Sequence, residues 1–212
     1  MEINCPLCLS SNSANPIKGA DDRVYYKCEN CFLIFVDKQF LPLPENELKR
    51  YNQHQNSIDD KEYVDFLNQA IHPALKYIQP NFIGLDYGCG KNAVLSQLLS
   101  KYGITCQNYD VYFSPKWPEN SFDFIFCTET TEHFFFPERE FLKMIAHLKK
   151  GGLLIIMTEL WTSIDDFKNW YYTRDFTHVC FYHQNTINYL AQKFNLTMLF
   201  NDAKRVVIFS KN

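Results

Sequence analysis

The segment FIGLDYGCG, residues 82–90, runs from a short apolar stretch into a turn with two closely spaced glycines. The stretch Phe82 to Tyr87 predicts a buried β-strand. Gly88 and Gly90 let the backbone approach a bound ligand closely, since glycine has no Cβ that would clash. Asp110 ends the next predicted strand twenty residues after Gly90, where doubly wound folds place an acid that accepts hydrogen bonds from ribose hydroxyls. An ordinary turn followed by a surface aspartate is the simpler alternative.

Strands and helices alternate outward from this turn. Apolar runs predict strands at 104–109, 122–127, 153–157, 196–200 and 206–209. Apolar residues at helical spacing predict helices at 93–102, 137–150 and 185–194, the second ended by Gly151 and Gly152. Strands alternating with helices indicate βαβ units and an α/β sheet covered on both faces.

Several motifs follow one another in the order typical of one enzyme family. The stretches FDFIFC, residues 122–127, and LKKGGLLII, residues 148–156, stand where that family has its fourth and fifth strands. From about Tyr63 to its end the chain resembles class I S-adenosylmethionine-dependent methyltransferases. The resemblance implies a Rossmann-like, seven-stranded sheet with an antiparallel last strand. It also implies S-adenosylmethionine as the cofactor, bound by Asp86, Tyr87, Gly88, Cys89, Gly90, Asp110, Val111, Thr128 and Glu129.

One part of the chain departs from that pattern. Only twelve residues separate Asp110 from Asp123, too few for the usual helix and third strand with its adenine-contacting acid. Trp117 or Phe113 is a candidate for covering the adenine ring by stacking. A dinucleotide is the competing ligand, but Lys91 and Asn92 follow Gly90, and the third glycine that a dinucleotide-binding turn usually has is absent.

Four cysteines are paired near the start of the chain. Cys5, Cys8, Cys28 and Cys31 form the pattern C-x2-C-x19-C-x2-C, which is typical of a structural zinc site with four thiolate ligands. We therefore predict a zinc ribbon over residues 1–43, a helical connector over 44–80 and the methyltransferase domain over 81–212. Two disulfides are the alternative for the same cysteines.

Composition narrows the range of partners. The 212 residues carry a formal net charge of −3 and are 17% aromatic, which argues against both a generic nucleic-acid binder and a largely disordered chain. No apolar run approaches the roughly 20 residues of a membrane-spanning helix. We expect a soluble, cytoplasmic protein with no membrane partner.

Candidate catalytic groups follow the fourth predicted strand. In the stretch TETTEH, residues 128–133, His133 is the first candidate for the general base, with Glu132 beside it. Glu129, Glu132 and His133 also form an E-x-x-E-H pattern that resembles the divalent-metal site of some quinone and small-RNA O-methyltransferases. The alternative is that Glu132 and His133 only cap the next segment.

An aromatic insert follows the predicted strand at 153–157. An apolar wall with a few polar groups is typical of a small-molecule pocket, and we expect Tyr172, Asp175 and His183 to contact the substrate and His178 to serve as a second catalytic candidate. The pattern W-x-Y-x-x-D-x-T-H-V-x-F-Y, residues 170–182, resembles a group of bacterial zinc-ribbon methyltransferases.

These features predict a methyltransferase that acts on a small-molecule acceptor. Two alternatives stay open: an RNA methyltransferase that uses the zinc ribbon for docking, and a binding module that keeps the fold without turnover. The charge of the predicted ribbon does not favour binding to the phosphates of RNA, because residues 1–43 contain four basic residues (lysine or arginine) and five acidic ones.

Overall fold

The first part of the chain consists of short strands followed by two helices. The structure, a computed structural model, describes residues 2–13 and 15–212; residues 1 and 14, within the predicted ribbon, lie outside them. The strands are β1 (Glu2–Asn4), β2 (Ser11–Ser13), β3 (Pro16–Lys18), β4 (Val24–Lys27) and β5 (Ile34–Val36). The helices are α1 (Pro44–Tyr51) and α2 (Lys61–Ala74), which occupy the interrupted helical segment expected at 44–80.

The second part alternates strands with helices, as predicted. Its strands are β6 (Ile83–Tyr87), β7 (Thr105–Tyr109), β8 (Phe122–Thr128), β9 (Leu148–Met157), β10 (Cys180–Phe181), β11 (Leu196–Asn201) and β12 (Val206–Lys211). Its helices are α3 (Val94–Ser100), α4 (Pro137–Ala146), α5 (Ile164–Phe167) and α6 (Gln184–Lys193).

A mixed sheet in the order β11-β12-β9-β8-β6-β7 forms the centre of the molecule. The strands β7, β6, β8 and β9 pair in parallel, whereas β12 runs antiparallel to both β9 and β11. The expected antiparallel last strand is therefore present. The prediction of seven strands is wrong, because this sheet has six strands among the residues that the structure describes. After β7 the chain turns back through a bridge between Asp110 and Ser114, and residues 111–121 form no third strand.

The sheet buries both faces, so each side has its own core. Phe124 and Phe126 of β8 point into the core beneath α2 and α3, while Ile125 and Cys127 point into the core on the side of α4 and α6. Gly84 in β6 permits close packing on the first side, since a Cβ there would lie 1.8 Å from the ring of Phe124. This two-sided burial explains why Leu153 to Met157 of β9 form a continuous apolar run.

The boundary between α4 and β9 differs from the prediction. The helix ends at Ala146 and β9 begins at Leu148, so Gly151 and Gly152 lie within the strand and do not stop the helix. The register shifts at this point, because Phe122 pairs with Leu148 but Phe124 pairs with Leu153. The glycines accommodate that irregularity, with Gly151 at a φ of +74°.

The cysteine segment shares a sheet with the aromatic insert. Strands β3, β4 and β5 pair in order, and β5 continues to β10 through Phe35 opposite Cys180. All three residues of β5 are buried. The cysteine segment is therefore attached to the rest of the molecule through the insert. This pairing places the cysteine segment next to residues 173–181.

Among the residues that the structure describes, no helix combines the length and the apolarity that crossing a lipid bilayer requires.

Candidate active site

A cavity of about 930 Å³ opens at the carboxyl ends of β6, β7 and β8. In open α/β sheets, ligands bind at this edge. Three regions line the cavity: the glycine turn after β6, the loops that follow β7 and β8, and the insert after β9. The predicted cofactor, catalytic and substrate regions therefore face one common space.

The glycine turn is held open by backbone hydrogen bonds. The N–H groups of Gly88 and Cys89 donate to the carbonyl of Tyr109 at 2.8 and 3.1 Å. Gly88 and Gly90 have φ values of +82° and +64°, and a Cβ on Gly88 would lie 2.3 Å from the side chain of Thr130. A side chain at Gly88 is excluded on both counts.

Asp110 fastens the next loop to this turn. Its Oδ2 accepts from Gly90 N–H at 3.0 Å, and its Oδ1 accepts from the N–H groups of Tyr112 and Phe113 at 2.8 and 3.0 Å. Because a carboxylate can accept about four hydrogen bonds, one position on Oδ2 is left for a ligand. Val111 and Phe113 also line the cavity.

Asp86 is a buried carboxyl group with an unsatisfied oxygen. The residue is 1% exposed and its Oδ1 has no hydrogen-bond partner. Burial, aided by the charge of Asp110, raises the pKa of Asp86 to about 7. Leaving a buried polar atom unpaired costs stability, so the atom is suited to a donor or a cation supplied by a ligand.

The remaining predicted cofactor residues also border the cavity. Tyr87, Cys89, Thr128 and Glu129 line it, and the Tyr87 hydroxyl donates to Glu140. Glu129 has a φ of +47°, and its N–H donates to the carbonyl of Met157 at 2.7 Å. Burial and the charge of Glu132 together raise the pKa of Glu129 well above its usual range.

The predicted catalytic residues converge on one point. Glu132, His133 and His178, which we call the Glu–His cluster, each place a ligand-type atom within 4.8 Å of the others. Glu132 is fully buried. The hydroxyl of Tyr172 donates to its Oε1 at 2.5 Å and lies 3.2 Å from Oε2 of Glu129.

Both histidines of this cluster are oriented by backbone carbonyls. Nδ1 of His133 lies 3.0 Å from the carbonyl of Thr177, and Nδ1 of His178 lies 2.8 Å from that of Tyr172. A carbonyl only accepts, so each Nδ1 carries a proton, and in the neutral form of each ring Nε2 has the lone pair. Burial lowers the pKa of His178 to about 4, which keeps that ring neutral.

Two of the predicted substrate residues line the cavity, Tyr172 and Asp175. The carboxylate of Asp175 is already engaged, since it pairs with Arg50 at 2.8 Å and accepts from the hydroxyl of Thr177 at 2.6 Å. Although burial acts in the opposite direction, the Thr177 hydrogen bonds, His178 and Arg50 lower the pKa of Asp175 below its usual range.

His183 and Trp117 lie outside this cavity. His183 caps α6 by accepting from Asn185 N–H, and its ring packs against Trp161. Its ring nitrogen therefore serves as a helix cap outside the cavity that Tyr172 and Asp175 line, and its expected contact with the substrate stays a prediction. The indole of Trp117 donates to His147 at 3.0 Å, which leaves Phe113 as the candidate of the pair that reaches the cavity.

Sequence reasoning missed a wall of the cavity contributed by α1, α2 and the end of the chain. The wall consists of Glu47, Arg50, Tyr51, His54, Tyr63, Phe66 and Arg205. Tyr51 lies beside the Glu–His cluster, with its ring centroid 5.3 Å from that of His133. The mixture of charged and aromatic residues in 47–54 is the only local signal of this role.

The four paired cysteines form a second cluster, the thiolate cluster. Their sulfurs lie within 4.8 Å of one another, with Cys5 and Cys31 at 3.5 Å and Cys8 and Cys28 at 3.4 Å. All four are free thiols, three of them fully buried, and none lines the cavity. Four converging thiols suit a tetrahedral metal ion that needs no open coordination position.

Comparison with known proteins identifies the family. The family model described as "Methyltransferase domain" matches residues 52–200, more than half of the chain. A search of curated protein sequences gives no match.

Solved structures share the fold at low identity. A methyltransferase from Archaeoglobus fulgidus described as SAM-dependent is 16% identical over 78% of this chain and 99% of that chain, with a TM-score of 0.54. The PH0226 protein from Pyrococcus horikoshii OT3 is 15% identical over 77% and 99%, with a TM-score of 0.51. An O-methyltransferase family protein from Burkholderia thailandensis is 11% identical over 82% and 65%, with a TM-score of 0.54.

The strand order, the glycine turn at the cavity and the family match agree. This chain belongs to the methyltransferase domain family and has the fold of a class I S-adenosylmethionine-dependent methyltransferase.

Proposed function

We propose that this protein transfers a methyl group from S-adenosylmethionine to a nucleophilic atom of a small molecule. One observation carries the proposal: the glycine turn with Asp86 and Asp110 lines the same cavity as His133 and His178. A methyl donor and a proton acceptor are thereby brought to a single site, which is what a methyl transfer requires.

The residues of the turn suit the cofactor. The unpaired Oδ1 of Asp86 matches a cationic amino group, and the open position on Asp110 Oδ2 matches a ribose hydroxyl. Phe113 offers an apolar surface for the adenine ring in place of the missing third strand. S-adenosylmethionine supplies an electrophilic methyl group, so that the bond from the acceptor to carbon forms as the sulfur–carbon bond breaks.

The Glu–His cluster provides the proton acceptor. In the neutral ring Nε2 of His133 has a lone pair, and the residue lines the cavity, so His133 takes the proton that the acceptor atom loses. Glu132 lies within the same cluster and stabilises the positive charge that develops on the ring. Tyr172 holds Glu132 in place through its hydroxyl.

The walls of the cavity favour a small acceptor over RNA. Tyr51, Phe134 and Tyr171 give it aromatic sides, whereas an RNA-binding face needs exposed cations. In the cysteine segment, Arg23 is only 8% exposed and Lys27 pairs with Glu29 at 3.1 Å. Few cations of that segment are therefore available for phosphate.

The thiolate cluster has a structural role in this proposal. Cys5, Cys8, Cys28 and Cys31 hold one zinc ion that stabilises β3, β4 and β5, which in turn support the insert through β10. Zinc with four protein ligands has no position for a substrate or water, so the ion takes no part in the transfer.

Methyl labelling tests the proposal. The protein is incubated with tritiated S-adenosylmethionine and either a low-molecular-weight cell extract or total RNA. We expect label in the small-molecule fraction that Glu132→Gln reduces strongly and Glu138→Gln, a change at a surface ion pair with Lys193, leaves unchanged. Label only in RNA would show that the acceptor is RNA and not a small molecule. No label in either fraction would contradict the proposal.

A further inference from the structure

We infer that the acceptor carries a positively charged amino group, which binds to the carboxyl group of Glu129. This inference rests on the proposed function and adds the chemical class of the acceptor to it. Three tyrosines, Tyr63, Tyr171 and Tyr172, line the cavity together with Glu129, and we call these four residues the Glu129 subsite. The family resemblance implies a cofactor contact for Glu129, so the inference gives this residue a different ligand.

The carboxyl group of Glu129 lacks a full set of partners. Its Oε1 is buried and accepts no hydrogen bond from the residues that the structure describes. Its Oε2 lies 3.2 Å from the hydroxyl of Tyr172, which also donates to Oε1 of Glu132 at 2.5 Å. Because a hydroxyl has only one proton, Tyr172 cannot satisfy both carboxylates at once. A donor from a ligand would fill the position left on Glu129.

Glu132 places a second uncompensated carboxyl group beside the subsite. It is 0% exposed, and its Oε2 has no hydrogen-bond partner in the described part of the chain. Burial and the charge of Glu132 raise the pKa of Glu129 well above its usual range, so Glu129 holds a proton at neutral pH in the free protein. A bound cation would offset the repulsion between the two carboxylates and displace that proton.

The neighbouring arginine does not satisfy Glu129. The guanidinium of Arg205, which precedes β12, pairs with Glu159 at 2.7 Å but lies 4.0 Å from Oε1 of Glu129. The latter distance is too long for a hydrogen bond. The same guanidinium packs over the ring of Phe66 at 5.1 Å. Arg205 is thus committed to Glu159, and Glu129 keeps no close counter-charge.

Aromatic rings make the subsite suitable for an organic cation. The ring of Tyr172 carries the hydroxyl beside Glu129. Burial and the charges of Asp86 and Glu129 raise the pKa of Tyr63, which indicates that its hydroxyl lies near both carboxyl groups. Tyr171 follows on the same side of the cavity. Ammonium groups are attracted to the faces of such rings as well as to a carboxylate.

An anionic acceptor finds fewer open partners. Arg50 and Arg205 already hold carboxylates at 2.8 and 2.7 Å, and an anion would have to break one of these pairs. Lys91 and Arg174 also border the cavity but are exposed, where water and salt screen their charge. An ammonium group needs no such exchange, since Glu129 is unpaired.

The subsite lies next to the proposed proton acceptor. Glu129 shares the Tyr172 hydroxyl with Glu132, and a ligand-type atom of Glu132 lies within 4.8 Å of one on His133. An acceptor held at Glu129 by its amino group therefore reaches the part of the cavity where the methyl transfer is proposed.

Binding of 2-phenylethylamine tests the subsite without an activity assay. The protein is first saturated with S-adenosylhomocysteine, the cofactor without its methyl group, so that Asp86 is not open to the amine. The neutral 2-phenylethanol and the anionic 3-phenylpropionate are compounds of similar size. We expect calorimetry to give the amine a dissociation constant at least about tenfold lower than that of either compound.

A matched pair of variants locates the amine. Glu129→Gln keeps the size of the side chain and removes its charge, so we expect it to weaken amine binding at least about tenfold and to change S-adenosylhomocysteine binding less than about twofold. Glu47→Gln is the control at a cavity carboxyl group whose two oxygens already accept from Tyr51 and Tyr112. It should change amine binding less than about twofold.

Proton release provides a readout that a purely structural residue would not affect. Titrations at pH 7 in buffers with different enthalpies of ionisation give the number of protons released on binding. We expect close to one proton per amine in the unsubstituted protein, because the ammonium group displaces the proton of Glu129. In Glu129→Gln the release should be absent.

Three results would overturn the inference: no amine binding at millimolar concentration, binding no tighter than that of 2-phenylethanol, or equal amine affinity in Glu129→Gln. Binding of S-adenosylhomocysteine in the same samples separates this failure from that of the proposed function. If S-adenosylhomocysteine binds and the amine does not, only the acceptor class is removed. If S-adenosylhomocysteine gives no heat, the proposed function is contradicted.

Discussion

The thiolate cluster and the Glu–His cluster both bring together side chains of the types that can ligate a metal ion, but their surroundings differ. The thiolate cluster has four like ligands, three of them fully buried and none at the cavity. The Glu–His cluster has mixed ligands, and its two histidines face the cavity. A saturated, enclosed set of ligands stabilises a fold, whereas an incomplete set beside open space is available for chemistry.

Arg23 connects the two regions. Its guanidinium donates to the carbonyls of Thr173, Asp175, Phe176 and His178 at 2.6 to 3.2 Å. It lies one residue before β4, in the cysteine segment, and it holds the stretch that carries His178. The cysteine segment thus positions part of the candidate active site, although none of its cysteines lines the cavity.

Removing one thiolate should have the largest effect. We expect Cys28→Ser to abolish zinc binding and to lower the unfolding temperature by on the order of 10 °C or more, because structural zinc supplies folding free energy directly. Metal analysis and scanning calorimetry measure both. Cys106→Ser, at a half-buried cysteine in β7 outside the cluster, should keep one zinc per chain. A metal-free, equally stable Cys28→Ser protein would show that the cysteines have no structural role.

Replacing Asp86 should raise the stability of the protein, whereas replacing Cys28 should lower it. The buried Asp86 carboxylate destabilises the fold and is present for ligand binding. The folded pKa of about 7 exceeds the ordinary value of 3.8, so the folded state binds the extra proton between these values. The protonated Asp86 carboxyl therefore makes its full contribution to the free energy of unfolding below about pH 4, and this contribution is lost as the pH rises through 7. At pH 8 we expect the free energy of unfolding of Asp86→Asn to exceed that of the unsubstituted protein by about 2 to 4 kcal/mol. The variant should therefore unfold at a higher denaturant concentration.

The same variant should show no such difference at pH 4, where Asp86 is protonated in the folded protein. Urea titrations at pH 4, 6 and 8 measure the trend. A variant that is less stable at pH 8 would mean that the ionised Asp86 has a partner in the free protein, contrary to its unpaired Oδ1.

His133→Asn should affect turnover and leave the fold intact. The asparagine amide can still donate to the Thr177 carbonyl, but Nε2 is lost. We expect turnover to fall roughly 100-fold, equivalent to about 2.7 kcal/mol, with cofactor affinity nearly unchanged. His72→Gln, on an exposed face of α2, serves as the control. Undiminished turnover would show that His133 is not the general base and that His178 or the substrate itself accepts the proton.

Arg23→Lys should have the smallest effect and tests the connection between the regions. Lysine keeps the charge but lacks the forked donors, so we expect a loss of about 2 kcal/mol in unfolding free energy. Limited proteolysis should then cut within residues 173–178 while zinc stays bound. Arg139→Lys, at an exposed arginine, is the control. Unchanged proteolysis would mean that β5 and β10 alone hold the insert.

Local patterns allowed some of this architecture to be predicted. Gly88, Gly90 and Asp110 have a spacing that reflects one strand-helix-strand unit, and the cysteine pairs have knuckle spacing; both sets converge in the structure. Such features depend on backbone geometry within a short segment, which is why they are visible in sequence.

Features that depend on tertiary packing were not visible. The approach of His178 to Glu132 and the wall formed by α1 join segments far apart in the chain, with no spacing that signals them. His183 resembled a pocket residue but caps α6, because the aromatic insert contributes both to the cavity and to the core around Trp161. Gly151 and Gly152 resembled a helix stop, yet they accommodate a register shift between β8 and β9.

Calorimetric titration with S-adenosylmethionine tests the central claim most directly. The account predicts binding of one cofactor per chain, weakened by about 1 to 3 kcal/mol in Asp110→Asn, a variant that keeps one oxygen for the N–H groups of Tyr112 and Phe113. No heat at millimolar cofactor would contradict the account, and equal affinity in the variant would show that Asp110 does not contact the cofactor.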